Sequence, residues 1–237
     1  MRPALLVVIV LGLGGCVAPA ALPPVAPISR PSATTDPTSA RAAALTFLQV
    51  VATVEPLAEK LCRNRGEARL CDFRIVVDDR PGQPPNAFQT LDNRGRPVIG
   101  FTLALIAEAR NADELAFVLG HEAGHHIAGH IPKREEQALS GALLAGVLAA
   151  AGGLSPEEVE AAQELGAATA ARGYSREFEL EADALGAEIA WAAGYDPVLG
   201  SAFFDRLPDP GDRFSSTHPA NSQRKAVILA TVRRLGG

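Results

Sequence analysis

The feature that most constrains this chain is a histidine-rich stretch in the middle of the sequence, LGHEAGHHIAGH at residues 119–130. It holds four of the five histidines in the 237-residue chain. His121 and His125 are four residues apart, so on an α-helix both side chains project from one face, about one turn from each other. Glu122 follows the first histidine and can approach a metal ion bound by the two histidines without being a ligand itself. This H-E-x-x-H spacing is typical of two zinc ligands and a general base.

The residues around this stretch favour a helix at about 112–131. Asn111 followed three residues later by Glu114 is a capping box, which marks a helix start. Pro132 is predicted to end the helix, because proline cannot continue the hydrogen-bond ladder. Four apolar residues supply the expected buried face, namely Leu115, Phe117, Val118 and Leu119.

Clustered histidines can also be core residues with satisfied nitrogens, and a five-residue pattern can occur by chance. A catalytic zinc site uses three protein ligands and leaves one position for water, so a third ligand should follow downstream. The segment 175–183 carries glutamates at positions 177, 179 and 181. Since residues two apart on a helix do not share a face, only one of the three can be well aimed.

Glu179 is the favoured third ligand, because Asp183 lies one turn later on the same face and can accept a hydrogen bond from a zinc-bound imidazole. Glu177 and Glu181 pair on another face, which is expected to be solvated. The alternative for the whole segment is an acidic surface helix.

The N-terminus is predicted to be an export signal covering residues 1–15. It begins with Arg2, continues as an apolar run from Ala4 to Leu13, and ends Leu-Gly-Gly-Cys at Cys16. This ending resembles a bacterial lipoprotein signal, in which Cys16 becomes the lipidated first residue and anchors the chain to a membrane. Val17 in place of aspartate then favours the outer membrane over the inner. The alternatives are an ordinary cleaved signal and an uncleaved anchor.

Composition divides the remaining chain into a tether and one domain. Residues 16–39 are rich in proline, alanine, serine and threonine, which is typical of an extended tether. Residues 40–237 are long enough for a single domain with its own core. The net charge of −5 provides no basic surface for nucleic acid, so no nucleic-acid partner is expected.

The two cysteines that remain, Cys62 and Cys71, are predicted to form a disulfide, in agreement with an oxidising compartment. A bridge of this kind would add about 2–3 kcal/mol to the stability. The alternative, a metal-binding pair, lacks a histidine nearby.

Hydrophobic spacing predicts a mainly helical α+β domain with one small sheet. Strands are expected at about 73–77, 86–90 and 97–102, and helices at about 40–62, 103–110, 112–131, from 156 onward, 174–193, 197–207 and 221–235. Residues 138–154 are the most apolar part of the mature chain. They indicate a partly buried or mobile helical hairpin or a membrane-touching loop, with a membrane span as a less favoured alternative.

Several motifs together resemble metallopeptidase family 48, the HtpX-like and CAAX-prenyl-protease-like zinc peptidases, and within it the periplasmic BepA and LoiP type. The matching segments are His121-Glu-Ala-Gly-His125 with His130, Ser175-Arg176 leading to Glu179-x-x-Ala182-Asp183, Ser216-Thr-His-Pro219 with Arg224, Asn86-Ala87-Phe88, and Asp113–Gly120. They extend over roughly residues 71–224. The resemblance implies a gluzincin-type zincin fold, whose small sheet has its edge strand beside the active-site helix.

The resemblance also implies roles for further residues. One Zn²⁺ per chain would be held by His121, His125 and Glu179, in agreement with the spacing. His218 would lie beside the metal, either in catalysis or as a cap. Arg224 would be its neighbour in the catalytic site, pairing with a substrate carbonyl or with Glu179. The other implied positions are His130 and Asp183 behind the ligands, and Asn86, Val98 and Gly100 for substrate along an edge strand near 98–102.

The expected activity is peptide-bond hydrolysis, with zinc activating water and Glu122 moving its proton. The resemblance implies unfolded or misassembled envelope proteins as substrates, in protein quality control at the periplasmic side of the envelope. The alternative is a chaperone-like or assembly-factor binding module with gated or weak proteolysis. A peptidoglycan-cleaving enzyme would usually show other ligand patterns.

Overall fold

The computed structural model describes residues 37–65, 70–173, 175–207, 209 and 219–236. These belong to a compact unit bounded by Thr35 and Gly237. The predicted signal, the lipidation of Cys16, most of the tether and the predicted role of His218 concern residues outside the described set.

The described part is mostly helical and has one small sheet, which confirms the predicted α+β class. Its strands are β1 (Arg74–Asp78), β2 (Ala87–Leu91) and β3 (Pro97–Thr102). Its helices are α1 (Pro37–Asn64), α2 (Leu103–Glu108), α3 (Ala112–Ile127), α4 (His130–Ala151), α5 (Pro156–Gly173), α6 (Ser175–Ala192), α7 (Pro197–Gly200), which continues as a 3₁₀ helix (Ser201–Arg206), and α8 (Asn221–Leu235).

The sheet has the order β1–β3–β2, which makes β2 an edge strand and β3 the central one. β3 is parallel to β1 and antiparallel to β2, and every residue of both neighbours is paired with it. The prediction of a substrate-binding edge at 98–102, with Val98 and Gly100 as contacts, is therefore wrong. β3 is central because Arg74–Asp78 pairs with the edge that β2 leaves free, and its side chains Ile99 and Phe101 are almost fully buried.

Gly100 has a packing role in this sheet. It lies opposite Phe88 of β2, and a Cβ atom at position 100 would overlap the Phe88 ring. The missing side chain therefore lets Phe88 lie across the central strand.

Helix α1 packs one face on α3 and on the sheet. Phe47, Val50 and Val54 are buried on that face, and the Phe47 ring lies 5.0 Å from that of Phe101. Of the described helices, α1 is the one long and apolar enough to cross a membrane, with a mean hydropathy of 1.2, but core helices of soluble proteins pass the same test.

The predicted disulfide is present between Cys62 and Cys71, whose Cα atoms are 5.7 Å apart. Cys62 lies near the end of α1 and Cys71 lies shortly before β1. The bridge therefore ties the long helix to the sheet.

The metal-ligand helix ends earlier than predicted. α3 ends at Ile127, Gly129 adopts a left-handed conformation with φ of 69°, and α4 begins at His130. Pro132 does not end α3 but lies in the first turn of α4, where its missing N–H costs no hydrogen bond. The break changes the direction of the chain between His125 and His130.

The apolar stretch 138–154 does not form a hairpin by itself: it is the second half of α4 and the turn into α5, and these two helices form the hairpin. Most of its leucine side chains are exposed. The two helices approach closely where Gly141 meets Gly166, since a Cβ at either glycine would overlap the backbone of the other. Helix α5 begins with the predicted cap, in which Ser155 and Glu158 exchange side-chain-to-backbone hydrogen bonds of 2.8 and 3.3 Å.

A buried ion pair fixes the start of α3. The Glu114 backbone N–H donates to Asn111 Oδ1 at 2.9 Å, as the capping box predicts. Both Glu114 carboxylate oxygens accept hydrogen bonds of 2.7 Å from Arg206, and one also accepts from the Arg110 N–H. Burial alone would raise the pKa of Glu114, but the Arg206 and Arg110 hydrogen bonds hold it below its ordinary value.

We expect Glu114→Gln to lower the free energy of unfolding by about 3 kcal/mol, because it leaves the Arg206 charge without its counter-ion. Since the folded-state pKa of Glu114 is lowered, this contribution is present above about pH 4.3 and is lost as the pH falls through the folded-state pKa. Urea unfolding at pH 7 and in acid measures both effects. Glu135→Gln on the exposed surface of α4 is the control and should change stability by less than about 0.5 kcal/mol. Equal losses in both variants would contradict the expectation.

Candidate metal centre

The three predicted ligands come together from two helices. His121 and His125 lie one turn apart on α3, and Glu179 lies on α6, which packs against it. Their nearest ligand atoms all lie within 4.8 Å of one another. His121 Nε2 and His125 Nε2 are 3.1 Å apart, and the Glu179 carboxylate oxygens lie 3.7 Å from the first and 3.4 Å from the second.

Close backbone contact between α3 and α6 makes this convergence possible. Gly120 and Gly186 face each other where the helices cross, and a Cβ at Gly120 would lie 2.7 Å from the Gly186 carbonyl oxygen. Gly124 lies similarly close to Ala182 one turn later. Small residues at these positions let the carboxylate of α6 reach the imidazoles of α3.

A buried aspartate fixes the orientation of His121. Its Nδ1 lies 2.9 Å from Asp183 Oδ1, and the Asp183 side chain is fully buried. An ionised carboxylate can only accept, so Nδ1 carries the hydrogen, and Nε2 is the atom of His121 that can ligate a metal on the side of Glu179.

Arg224 of α8 completes the support of Asp183. Its Nε and Nη2 donate to the two carboxylate oxygens at 2.7 Å each, and its guanidinium lies 4.0 Å above the Phe204 ring. Burial alone would raise the pKa of Asp183, but hydrogen bonds from Arg224 and His121 hold it below its usual value. Arg224 Nη2 also lies 3.5 Å from Glu179 Oε2, the pairing that the resemblance implied as one option.

His125 has a different support, in which a second histidine takes part. His125 Nδ1 lies 2.8 Å from His130 Nδ1, and His130 Nε2 lies 3.1 Å from Glu181 Oε2. The His130 ring is buried and stacks on Phe178, with ring centroids 4.3 Å apart and planes 15° apart. Burial lowers the pKa of His130 to about 4, more than its contact with Glu181 raises it.

The donor set fits zinc. Two imidazole nitrogens and one carboxylate are a ligand set of catalytic zinc sites. With both Nδ1 atoms engaged, the two Nε2 atoms lie 3.1 Å apart, and a cation between them would take a lone pair from each. Three protein ligands leave the fourth zinc position for water.

Glu122 lies beside this cluster and is the one acidic residue of the H-E-x-x-H stretch. It lines the same cleft as the three ligands. Burial, followed by the nearby Glu179 charge, raises the pKa of Glu122, although His121, His125 and Arg224 act against the shift. A carboxyl with a raised pKa is a suitable proton acceptor and donor near neutral pH.

A cleft of about 690 Å³ opens onto the cluster. Its lining includes the strand β2 with the residues just before it, and a second group of large, mainly aromatic side chains. The first group consists of Pro85, Asn86, Ala87, Phe88 and Gln89, and the second of Phe117, Phe203, Phe204 and Leu207.

The other predicted residues are distributed as follows. Asn86 lines the cleft, whereas Val98 and Gly100 belong to the central strand and do not line it. His126 faces away from the cluster, since its Nε2 lies 2.7 Å from the Leu70 carbonyl oxygen.

Glu181 was missed as a site residue. Its side chain was expected to be solvated, but it is half exposed and reaches His130 from α6. Only the glycine at position 129, which can end a helix in the left-handed conformation, hinted that His130 would leave the axis of α3.

Comparison with known proteins agrees with this geometry. Over 135 residues, 55% of this chain, the sequence is 30% identical to the mitochondrial metalloendopeptidase OMA1 of Arabidopsis thaliana. The aligned part spans only about a quarter (27%) of that relative's length. Residues 44–232, well over half of the chain, match peptidase family M48, and this range contains all three clustered ligands, Glu122, Asp183 and Arg224. The chain therefore belongs to peptidase family M48.

Proposed function

We propose that this chain is a zinc-dependent endopeptidase of the bacterial cell envelope, which cleaves unfolded or misassembled proteins. The observation that carries the proposal is the convergence of His121, His125 and Glu179 beside Glu122, in a cleft walled by an edge strand. Membership of a peptidase family supports hydrolysis of peptide bonds.

His121, His125 and Glu179 would hold the zinc ion. When bound, zinc supplies a Lewis acid that polarises the scissile carbonyl and lowers the pKa of water. Asp183 keeps His121 in the tautomer that presents Nε2, and Arg224 keeps Asp183 ionised through two hydrogen bonds. The residues behind the ligands therefore hold the site ready before substrate arrives.

Glu122 would act as the general base. It follows His121 on α3 and lines the cleft, where the carbonyl of a bound peptide would lie. Its carboxylate would take a proton from the attacking water and pass it to the nitrogen of the leaving amine. The raised pKa of Glu122 matches both steps, since the carboxyl must accept a proton and then release it.

Substrate would bind along β2, not along β3. Among the described residues β2 pairs on one side only, with β3. An extended peptide added to its other edge would be held by backbone hydrogen bonds, which read little sequence. This mode requires a substrate without fixed tertiary structure, and so favours unfolded chains.

The location is proposed from the N-terminal sequence. A lipidated Cys16 would anchor the chain to the outer membrane, with the domain on the periplasmic side and proteins of the envelope within reach. The disulfide between Cys62 and Cys71 supports an oxidising compartment such as the periplasm.

Metal removal tests the proposed function. We expect the full-length chain to cleave a reduced, alkylated test protein, to lose this activity with a chelator, and to regain it with about one equivalent of Zn²⁺. Cleavage is measured by the appearance of new peptide termini, and metal content by elemental analysis. Zinc-loaded chain that binds the test protein without cutting it would contradict the proposal and favour the chaperone-like binding module.

A further inference from the structure

The two histidine ligands are supported in unequal ways. His121 is held by a fully buried carboxylate, that of Asp183, which is itself bound by Arg224. His125 is held by another imidazole, that of His130, and the carboxylate behind it is the half-exposed Glu181. Such a histidine-to-histidine contact has only one arrangement of hydrogens that leaves His125 able to bind a metal.

The donor and acceptor roles of the three side chains can be assigned by starting from Glu181. The ionised Glu181 carboxylate can only accept, so His130 Nε2 donates to it. A neutral His130 then has a bare Nδ1, which can only accept. His125 Nδ1 must therefore donate at the 2.8 Å contact, and His125 Nε2 keeps its lone pair on the side of His121 and Glu179.

The fold holds His130 firmly in this role. The left-handed Gly129 turns the chain at the end of α3, so that the first residue of α4 comes back to His125. Phe178 of α6 stacks on the His130 ring and limits its rotation. Helix α6 thus supplies the acceptor behind each histidine ligand, Asp183 for His121 and Glu181 for His125 by way of His130.

We propose that His130 and Glu181, here called the His130–Glu181 pair, are positioning residues that hold His125 in the tautomer required for zinc binding. This inference rests on the proposed zinc site. Neither residue belongs to the clustered ligand set, so the effect of the pair should appear in metal affinity and in the tautomer of His125.

Two substitutions test the pair. His130→Phe keeps a ring stacked on Phe178 but removes both nitrogens, and should weaken zinc binding roughly 10- to 100-fold. Glu181→Lys places a donor where the acceptor was, so His130 Nε2 must accept and His130 Nδ1 must donate. His125 is then driven to carry its hydrogen on Nε2, and zinc binding should weaken roughly tenfold.

Matched controls separate positioning from general damage. His126→Phe removes the neighbouring buried histidine, which contacts the Leu70 carbonyl and lies outside the cluster. Glu177→Lys makes the same charge change on an exposed position one turn before Glu181. Glu181→Gln retains an acceptor oxygen and should keep zinc affinity within a few-fold of wild type. His126→Phe and Glu177→Lys should leave the zinc dissociation constant unchanged.

The two readouts are the zinc dissociation constant, from competition with a chromogenic chelator, and the His125 ring nitrogens, from ¹⁵N NMR of the metal-free protein. We expect Nδ1–H on His125 in the wild type and a shift toward Nε2–H in both variants. Equal dissociation constants in variants and controls, or Nε2–H on His125 in the wild type, would overturn the inference. If the wild type binds no zinc, the proposed function fails instead, and the NMR measurement alone still decides the role of the pair. If His130→Phe does not fold, Glu181→Lys, altered at a half-exposed position, carries the same test.

Discussion

Glu122→Gln should reduce proteolysis by roughly 10²- to 10⁴-fold while zinc remains bound. The amide has the size of the carboxyl but cannot take a proton from water. The ligands His121, His125 and Glu179 are unchanged, so metal content should remain about one equivalent per chain. The measurement is kcat/KM for a reduced, alkylated test protein, compared at matched zinc content.

A matched control is Glu177→Gln, which removes an acidic charge from the exposed first turn of α6. It should cleave at the wild-type rate. If Glu122→Gln with a full complement of zinc cuts as fast as the control, another group is the general base. A loss of zinc from Glu122→Gln would instead give this residue a role in holding the metal.

Arg224→Met should lower the free energy of unfolding of the metal-free protein by roughly 3–5 kcal/mol. Asp183 has no exposed surface and takes two hydrogen bonds from this arginine. Without these hydrogen bonds, His121 is the remaining partner of the buried Asp183 carboxylate. Methionine keeps much of the apolar stem, so the loss reports the missing charge more than a cavity. Urea unfolding in the presence of a chelator measures it.

Adding Asp183→Asn to Arg224→Met should recover part of this loss, because neither group then carries a charge. The two residues are in direct contact, and we expect a coupling energy of about 0.5–3 kcal/mol. Arg233→Met, at an exposed position near the end of α8, is the control and should cost less than about 0.5 kcal/mol. Purely additive losses would mean that the two side chains stabilise the fold independently.

Helix positions were predicted well because they follow from local spacing and capping. The last helix was predicted at 221–235 and lies at Asn221–Leu235, and α5 starts with the cap formed by Ser155 and Glu158. The end of α3 was misplaced, because Pro132 was read as the stop. A proline in the first turn of a helix is as favourable as one beyond its end, and only the left-handed Gly129 separates the two cases.

The order of the strands could not be predicted from the segments themselves. Each strand was located to within a residue, yet β3 was taken for an edge strand and is central, whereas β2 is the edge strand that lines the cleft. In an apolar strand of six residues, the side chains alternate between the two faces of the sheet in the same way at the edge and in the centre. Its place depends on which other segment pairs with it, and Arg74–Asp78 lies some twenty residues away in the sequence.

The sequence by itself determined the candidate metal ligands of this protein. His121 and His125 share a face through one helical turn, and Glu179 and Asp183 do so on a second helix, so a spacing of four residues was sufficient. Only the tertiary structure decided what lies behind them. The approach of α3 and α6 at Gly120 and Gly186, and the turn at Gly129, bring together His130 and Glu181, which are 51 residues apart. Helical periodicity cannot place such a contact, because it depends on how two helices cross and not on where each begins.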